Sequence, residues 1–475
     1  MSRRVIPWVI AIITCLWVIA HASRSPDLIR DNSGDHDTVK ALQEIKQRHD
    51  PMSWFRTDWP LRNGFYRPLP TLTLEFDLAT HPNDGAGFGQ TDGLLCGLGI
   101  LALYWAMSEL AESTAIGAAC AVLFSLWITG GNRAANATSL LATILVWAIL
   151  PVFILGVYRH RRKWYLYLPV SLALFYAASE LNGVFVPGEL NYRVLGWVPG
   201  RTATLMTLFA LLAIAFYARY ERLSARRDPP SEPGPLDPPA TRSSLQAATG
   251  RSRSGWPLAV AACICTTGAL ACYEQAVMLP AALTGVAIMM RLRGLRVRWG
   301  WQAAFWVLLP CYLFLRHAVL PPGLSAYQAQ QMRHGPQPWI DIAGALCPPA
   351  ASIGTILPRL SDPSSDTFQF SIYSLFDTVV LTWIVMLAAN VAGLVVVSKR
   401  WPLAIGALLL CTVSFMPMAW SKPFGHYYYW PSACRTLYVV CLLAACWKAV
   451  IIAVSPQARQ APPRPHPAPG SLPHP

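Results

Sequence analysis

The chain has 475 residues, of which 54% are hydrophobic and only 13% charged, whereas a soluble domain carries roughly 25% charge. That balance excludes an ordinary soluble enzyme and points to an integral membrane protein. The net charge of +14 would suit a nucleic-acid partner, but the basic residues gather in alternate loops as topology signals do. No nucleic-acid motif accompanies them, so nucleic acid is excluded as a partner.

The first apolar run, 5–22, follows Ser2-Arg3-Arg4 and is longer than the core of a secretory signal. Its end, Ala20-His21-Ala22-Ser23, would allow cleavage, but the length of the run favours a retained membrane anchor. A long polar stretch, 23–92, comes next. Within it, residues 37–49 place Val39, Leu42 and Ile45 at helical spacing. That segment is expected to form a helix lying on the membrane surface, as are 339–348 and 368–376 in a later loop.

Eleven further apolar stretches follow, at about 93–111, 115–130, 138–158, 164–182, 202–219, 257–272, 275–291, 302–319, 377–397, 402–420 and 433–453. Each is near the ~20 residues needed to cross a bilayer as a helix. The expected fold is therefore all-α: a polytopic helical bundle of about twelve transmembrane helices with a long extracytoplasmic first loop. Segment 228–254, rich in Pro and Ser, reads as a linker, and 455–475 as a disordered Pro-rich tail.

Orientation follows from the Lys/Arg bias of short loops. If the spans alternate, Arg3-Arg4, the 159–163 cluster, 219–227, 291–298 and Lys399-Arg400 all fall on one side, which is then cytoplasmic with both termini. The turn Glu109 to Glu112 falls on that side without a positive charge. The expected location is the cell membrane, inner or plasma. Most of the 12 cysteines lie inside apolar spans as small hydrophobes. Cys347, Cys272 and Cys434 fall on the outward side, where pairing is open to them, and no CxxC zinc pattern exists.

Four outward fragments carry a family resemblance. Phe65-Tyr66-Arg67-Pro68-Leu69 leads into Leu72-Thr73-Leu74-Glu75-Phe76-Asp77. Gly196-Trp197-Val198-Pro199-Gly200-Arg201-Thr202 opens a span. Tyr273-Glu274-Gln275-Ala276-Val277 precedes Leu279-Pro280, and His426-Tyr427-Tyr428-Tyr429-Trp430-Pro431-Ser432 leads into the last span. In order and topological place these fragments resemble GT-C polytopic glycosyltransferases, above all the protein O-mannosyltransferase-like proteins. The resemblance implies transfer of a sugar from a polyprenyl-phosphate-linked donor to a protein, lipid or glycan acceptor on the extracytoplasmic face.

The departures bear on activity. The family carries adjacent acidic residues just after the first span, one of them the catalytic base. Here that place holds Asp27 and Asp31, followed by Asp35-His36-Asp37, with no adjacent pair. The family's two histidines in the matching stretch are also missing from 87–96.

Transfer needs a base at the acceptor hydroxyl and cationic or hydrogen-bonding groups at the departing phosphate. Asp27 matches the family base best, with Asp31 next and Asp58 third; each also reads as an ordinary loop residue. Arg67 and Arg201 are expected to line one outward cavity and approach a shared phosphate, against the simpler reading of arginines at span ends. Glu274, His426, Tyr427 and Arg435 complete the substrate-binding candidates. Asp35-His36-Asp37 suits a divalent metal chemically, although a lone D-H-D is more often plain loop; no other cofactor is implied. Two other classes compete with an active transferase. One is a catalytically inactive relative that scaffolds envelope-glycan assembly, favoured by the missing acidic pair. The other is a multi-span transporter, disfavoured because ionisable residues gather at the outer span ends rather than at the midplane.

Overall fold

The computed structural model describes residues 5–22, 36–48, 50–81, 85–129, 194–195, 197–227, 255–336, 338–339, 342, 401–422 and 424–454. The expected spans 138–158, 164–182 and 377–397 lie outside them, as do the 228–254 linker, the 455–475 tail, Asp27, Asp31 and Cys347. Among the described residues the fold is helical throughout, apart from an isolated bridge between Met332 and Ser421. Among the described residues six helices are long and apolar enough to cross a membrane, as in an integral membrane protein. Helices are what such sequences must form, because a backbone in hydrocarbon has to satisfy its hydrogen bonds within its own segment.

The elements in chain order are α1 (Val5–Ala22), α2 (His36–Arg48), α3 (Pro68–Thr80), α4 (Gly85–Ala111), α5 (Thr114–Thr129), α6 (Arg201–Arg227), α7 (Trp256–Leu270), α8 (Leu279–Leu292), α9 (Gly300–Val319), α10 (Ala326–Gln331), α11 (Trp401–Ala419) and α12 (Tyr429–Val454). Short 3₁₀ turns at Val198–Gly200, Glu274–Met278 and Gly425–Tyr428 lead into α6, α8 and α12. These three turns coincide with three of the family-like fragments.

Helix α6 is central and packs against both α4 and α7, while α1 packs on α4 and α5. Close approach of α1 to α4 depends on small residues. A side chain at Gly97 would meet Ile19 Cγ1 at 2.7 Å and Cys15 Sγ at 3.0 Å. Helices α11 and α12 form a second hairpin, with α8 against α11 and α5 against α12. Helix α9 is peripheral and leaves Val307, Leu313, Phe314 and Leu315 exposed.

At one end of the bundle, Glu109 pairs with Arg219 at 3.3 Å and Arg222 at 2.7 Å, and Glu112 pairs with Arg293 at 3.0 Å. The α4–α5 turn lacks a cation of its own because α6 and the segment after α8 supply three.

The opposite end carries the polar first loop, built on a small core of its own from Ile45, Trp54, Trp59, Leu74, Phe88 and Val198. Helix α2 forms where its spacing predicts, and part of its apolar face packs within the protein. Thr38, Ala41 and Ile45 are buried and α2 packs on α3, with Glu44 bridging Arg48 and Arg62 at 2.9 Å each.

Helix α3 begins at Pro68, whose fixed φ and missing N–H suit the first helical position. That places Arg67 as its N-cap, immediately outside the helix. The turn before it is held by Asp58, whose carboxylate accepts the backbone N–H groups of Gly64 and Phe65 at 2.9 Å each. Gly64, at φ +81°, adopts a left-handed conformation that glycine enters at little cost. Its carbonyl accepts from Gln328 at 2.8 Å and Arg316 at 3.2 Å, so α10 is tied down over this turn.

A candidate aromatic and cationic site at the loop end of the bundle

A cavity of about 210 Å³ opens where the first loop meets the ends of α6, α8 and α12. Its wall draws on all four family-like fragments: Phe65 and Arg67 from the first, Trp197, Pro199 and Thr202 from the second, Tyr273 from the third, His426 and Tyr427 from the fourth. Asp37, Trp59, Leu61, Asn63, Tyr327 and Phe424 complete it.

Arg67 is the cation of this cavity. Its Nε and Nη2 both donate to Oε2 of Glu274, at 2.9 and 2.7 Å, which leaves Nη1 for a ligand. The guanidinium lies over Phe65 at 4.1 Å, Tyr273 at 4.5 Å and Trp59 at 5.7 Å from the ring centroids. Such faces attract a desolvated cation. Burial is the largest influence on Arg67 and works against its charge; Glu274 is the chief opposing group, and with the neighbouring Tyr273 and Tyr427 it leaves the guanidinium pKa above its usual value. Glu274 is positioned by the 3₁₀ turn it begins. The next residue, Gln275, is fully buried and donates to the carbonyls of Ser414 and Tyr427 at 2.7 and 3.0 Å, locking this turn to α11 and to the segment before α12.

The far wall is aromatic. His426 is buried among Tyr427 at 4.5 Å, Trp197 at 5.1 Å, Phe424 at 5.9 Å and Tyr273 at 6.1 Å between ring centroids. Burial pushes the Tyr427 hydroxyl up to about 12 and that of Tyr273 well above its ordinary value, so both remain neutral donors. The surface thus combines one guanidinium, neutral hydroxyls, ring faces and the Asp37 carboxylate.

Three of the predicted binding residues do not line the cavity: Glu274, which touches it only through Arg67, and Arg201 and Arg435. Arg201 does not reach the cavity, although Pro199 and Thr202 on either side of it do. It is buried below the wall, with Nη2 at 2.7 Å from Asp77 and Nε at 2.5 Å from Asp92. It also donates to the Phe88 carbonyl at 3.2 Å, and Thr91 donates to Asp77 at 2.6 Å. The cluster is a structural ion triad joining α3, α4 and α6, and the shared-phosphate pairing with Arg67 is corrected accordingly. Arg435 is likewise fully buried, inside α12 against Cys411 and Tyr438, and does not line the cavity.

Asp58 lies behind the cavity wall and holds the turn. Burial raises its pKa, opposed by the N–H groups of Gly64 and Phe65. Cys272 and Cys434, open to pairing by sequence, are buried free thiols.

Asp37 is the carboxylate that sequence reasoning passed over, having weighed it only with Asp35 and His36 as a metal ligand. It stands in the first turn of α2 and lines the cavity. The helical spacing of 37–49 is the signal that would have found it, because packing α2 on α3 carries its first turn to Arg67's side of the loop. Among the described residues no group of three His, Cys, Asp or Glu side chains is gathered to hold a metal ion.

No protein-family model matches the chain, and no curated protein and no solved structure matches it.

Proposed function

We propose that the chain is a GT-C-type membrane glycosyltransferase, which takes a sugar from a polyprenyl-phosphate-linked donor and passes it to an acceptor on the face where the cavity opens. In this reading it crosses the inner or plasma membrane about twelve times, with both termini cytoplasmic and the cavity outward. One observation carries the proposal. Four fragments that resemble the family separately, and stand far apart in the chain, converge on a single cavity.

The chemistry fits the lining. A lipid-linked donor brings an anionic phosphate and a sugar ring to the membrane surface. Arg67 Nη1 meets the phosphate, and the flat faces of Trp197 and Tyr427 suit the apolar faces of a pyranose. In the transfer step an acceptor hydroxyl oxygen attacks the anomeric carbon and the bond from that carbon to the phosphate oxygen breaks. The electron pair leaves with the polyprenyl phosphate, whose charge Arg67 stabilises. The hydroxyl proton passes to a carboxylate, a role we assign to Asp37 among the described residues.

The test uses the full chain purified into lipid nanodiscs with radiolabelled polyprenyl-phosphate-mannose, following sugar release or transfer. Turnover is expected to fall by at least ~10²-fold in Asp37→Asn, as general-base loss does, with donor binding retained. Wild-type protein that neither binds nor turns over any polyprenyl-phosphate sugar would overturn the proposal. Full activity in Asp37→Asn, with loss in Asp27→Asn or Asp31→Asn, would move the base into the 23–35 segment.

A further inference from the structure

A second cavity runs along α8 from Ala281 to Leu292 and shares no lining residue with the aromatic site. It is a groove of about 140 Å³ between α8 and α11, lined by side chains such as Ala281, Gly285, Leu292, Trp401 and Leu409, none of them ionisable. The two helices cross closely at Gly406, where an added Cβ would come 2.5 Å from Met289 Sδ. At Gly285 an added Cβ would meet only Leu410, at an ordinary 3.7 Å. The groove is therefore a genuine opening beside a tight crossing. Its rim is exposed: Ile288 by 48%, Leu292 by 62% and Leu409 by 51%.

Charge gathers at one end of this groove. Arg291 is exposed and adjacent in sequence to the lining residue Leu292, and Arg296 and Arg298 are exposed just beyond. Arg293 is already paired with Glu112. Trp401, on the opposite lip, is preceded in sequence by Lys399-Arg400. Indoles and cations at the end of an apolar slot are the features that hold a lipid at the headgroup level.

We propose that the α8–α11 groove binds an anionic glycerophospholipid from the leaflet at the arginine-bearing ends of the helices, with acyl chain in the slot and phosphate at Arg291 and Arg296. An anionic headgroup fits because a zwitterion would set its own cation among these arginines. The donor of the aromatic site is a different occupant. Helix α8 has 14 residues, so at 1.5 Å per residue about 20 Å separates Arg291 from the end near Glu274.

The experiment is photolabelling of the full chain in phosphatidylcholine nanodiscs with a trace of phosphatidylglycerol carrying a diazirine acyl chain, followed by peptide mapping. Adducts are expected to concentrate on 281–292 and 401–413 over the lipid-facing sides of α1 and α9. Gly285→Leu should remove them by filling the slot. Arg291→Gln and Arg296→Gln should each lower labelling about five-fold, as loss of one surface cation does, while Arg291→Lys retains it. Size exclusion and thermal melting serve to check that each variant is folded; Arg291→Lys carries the test where a neutral variant is not, and loss of labelling in folded Arg291→Lys overturns the phosphate contact. Equal labelling by a diazirine phosphatidylcholine, even labelling around the bundle, or stronger competition by polyprenyl phosphate than by phosphatidylglycerol would overturn the proposal. So would a cysteine at Leu409 that cross-links to residues 377–397 of the same chain.

Discussion

Arg67 and Glu274 are separated by 207 positions in the chain and meet at 2.7 Å. The pair joins the N-cap of α3 to the turn that starts α8, and so fixes the first loop on the helix bundle. Both side chains are mostly buried, at 11% and 18% exposure, so removing either charge alone leaves the other uncompensated in a poorly solvated place.

That asymmetry gives the first prediction. Arg67→Gln and Glu274→Gln should each lower the stability of the folded chain by about 3 kcal/mol, the scale for breaking a buried pair. The double variant should lose much less than the sum, because no charge is then stranded. Thermal unfolding in detergent of the four proteins completes the cycle. Additive losses would show that the pair is not coupled. Donor binding separates the roles further, since only the variants lacking Arg67 should lose affinity for the phosphate.

The Arg201 triad supports a second prediction. One guanidinium faces two carboxylates, Asp77 and Asp92, and all three are essentially buried. Arg201→Met strands two carboxylates together and should prevent recovery of folded protein. Asp92→Asn leaves one cation with one anion and should be recovered folded. If Arg201→Met folds as well as Asp92→Asn, the triad is not what joins α3, α4 and α6. Loss of donor binding in a well-folded Arg201 variant would return this residue to the binding role its sequence position suggested.

The fate of Arg201 also shows where sequence reasoning stops. Apolar runs long enough to cross a bilayer are visible in any linear reading, because hydropathy sums over neighbours. Arg67, Tyr273, His426 and Tyr427 were legible as parts of fragments, since each fragment is contiguous. Which carboxylate faces which guanidinium is not contiguous information: Asp92 is 109 positions from Arg201. The same limit hid the cations that satisfy Glu109 and Glu112, which come from α6 and from the segment after α8. Asp37 was missed for a different reason. Its neighbours Asp35 and His36 suggested ligand chemistry, whereas the period of the helix it begins decides where its side chain lies.

Acid should loosen α2 before it unfolds the bundle. Hydrogen bonding to Arg62 lowers the Glu44 pKa from its ordinary 4.5; burial opposes it, and Arg48 adds to the lowering. For a carboxylate whose folded pKa is depressed, the stabilisation is fully present above the unfolded pKa and is lost as pH falls through the folded value. The expected window therefore lies below pH 4.5. Hydrogen exchange in 36–48 should rise there, ahead of exchange in α4 and α6. In Glu44→Gln this pH dependence should largely vanish, with α2 already more open at neutral pH. Unchanged protection of α2 down to the global transition would contradict this.

Alkaline pH tests the cavity itself. The hydroxyl of Tyr427 is pushed up to about 12 by burial, and Tyr273 also titrates well above its ordinary value. The Arg67 guanidinium stays charged because Glu274 raises its pKa against the effect of burial. A phosphodiester-linked sugar donor keeps its single negative charge across the same range. Affinity for such a donor should therefore be flat from about pH 7 to about pH 10, a span that reaches the pKa of an ordinary tyrosine. Ionised hydroxyls beside Arg67 would repel the phosphate, so a fall in affinity near pH 10 would mean that the rings are more solvated than their packing implies. Tyr427→Phe distinguishes the outcomes. If the fall disappears in that variant, Tyr427 is the group that titrates. If it persists, the change lies elsewhere in the cavity and the assignment of a neutral Tyr427 stands.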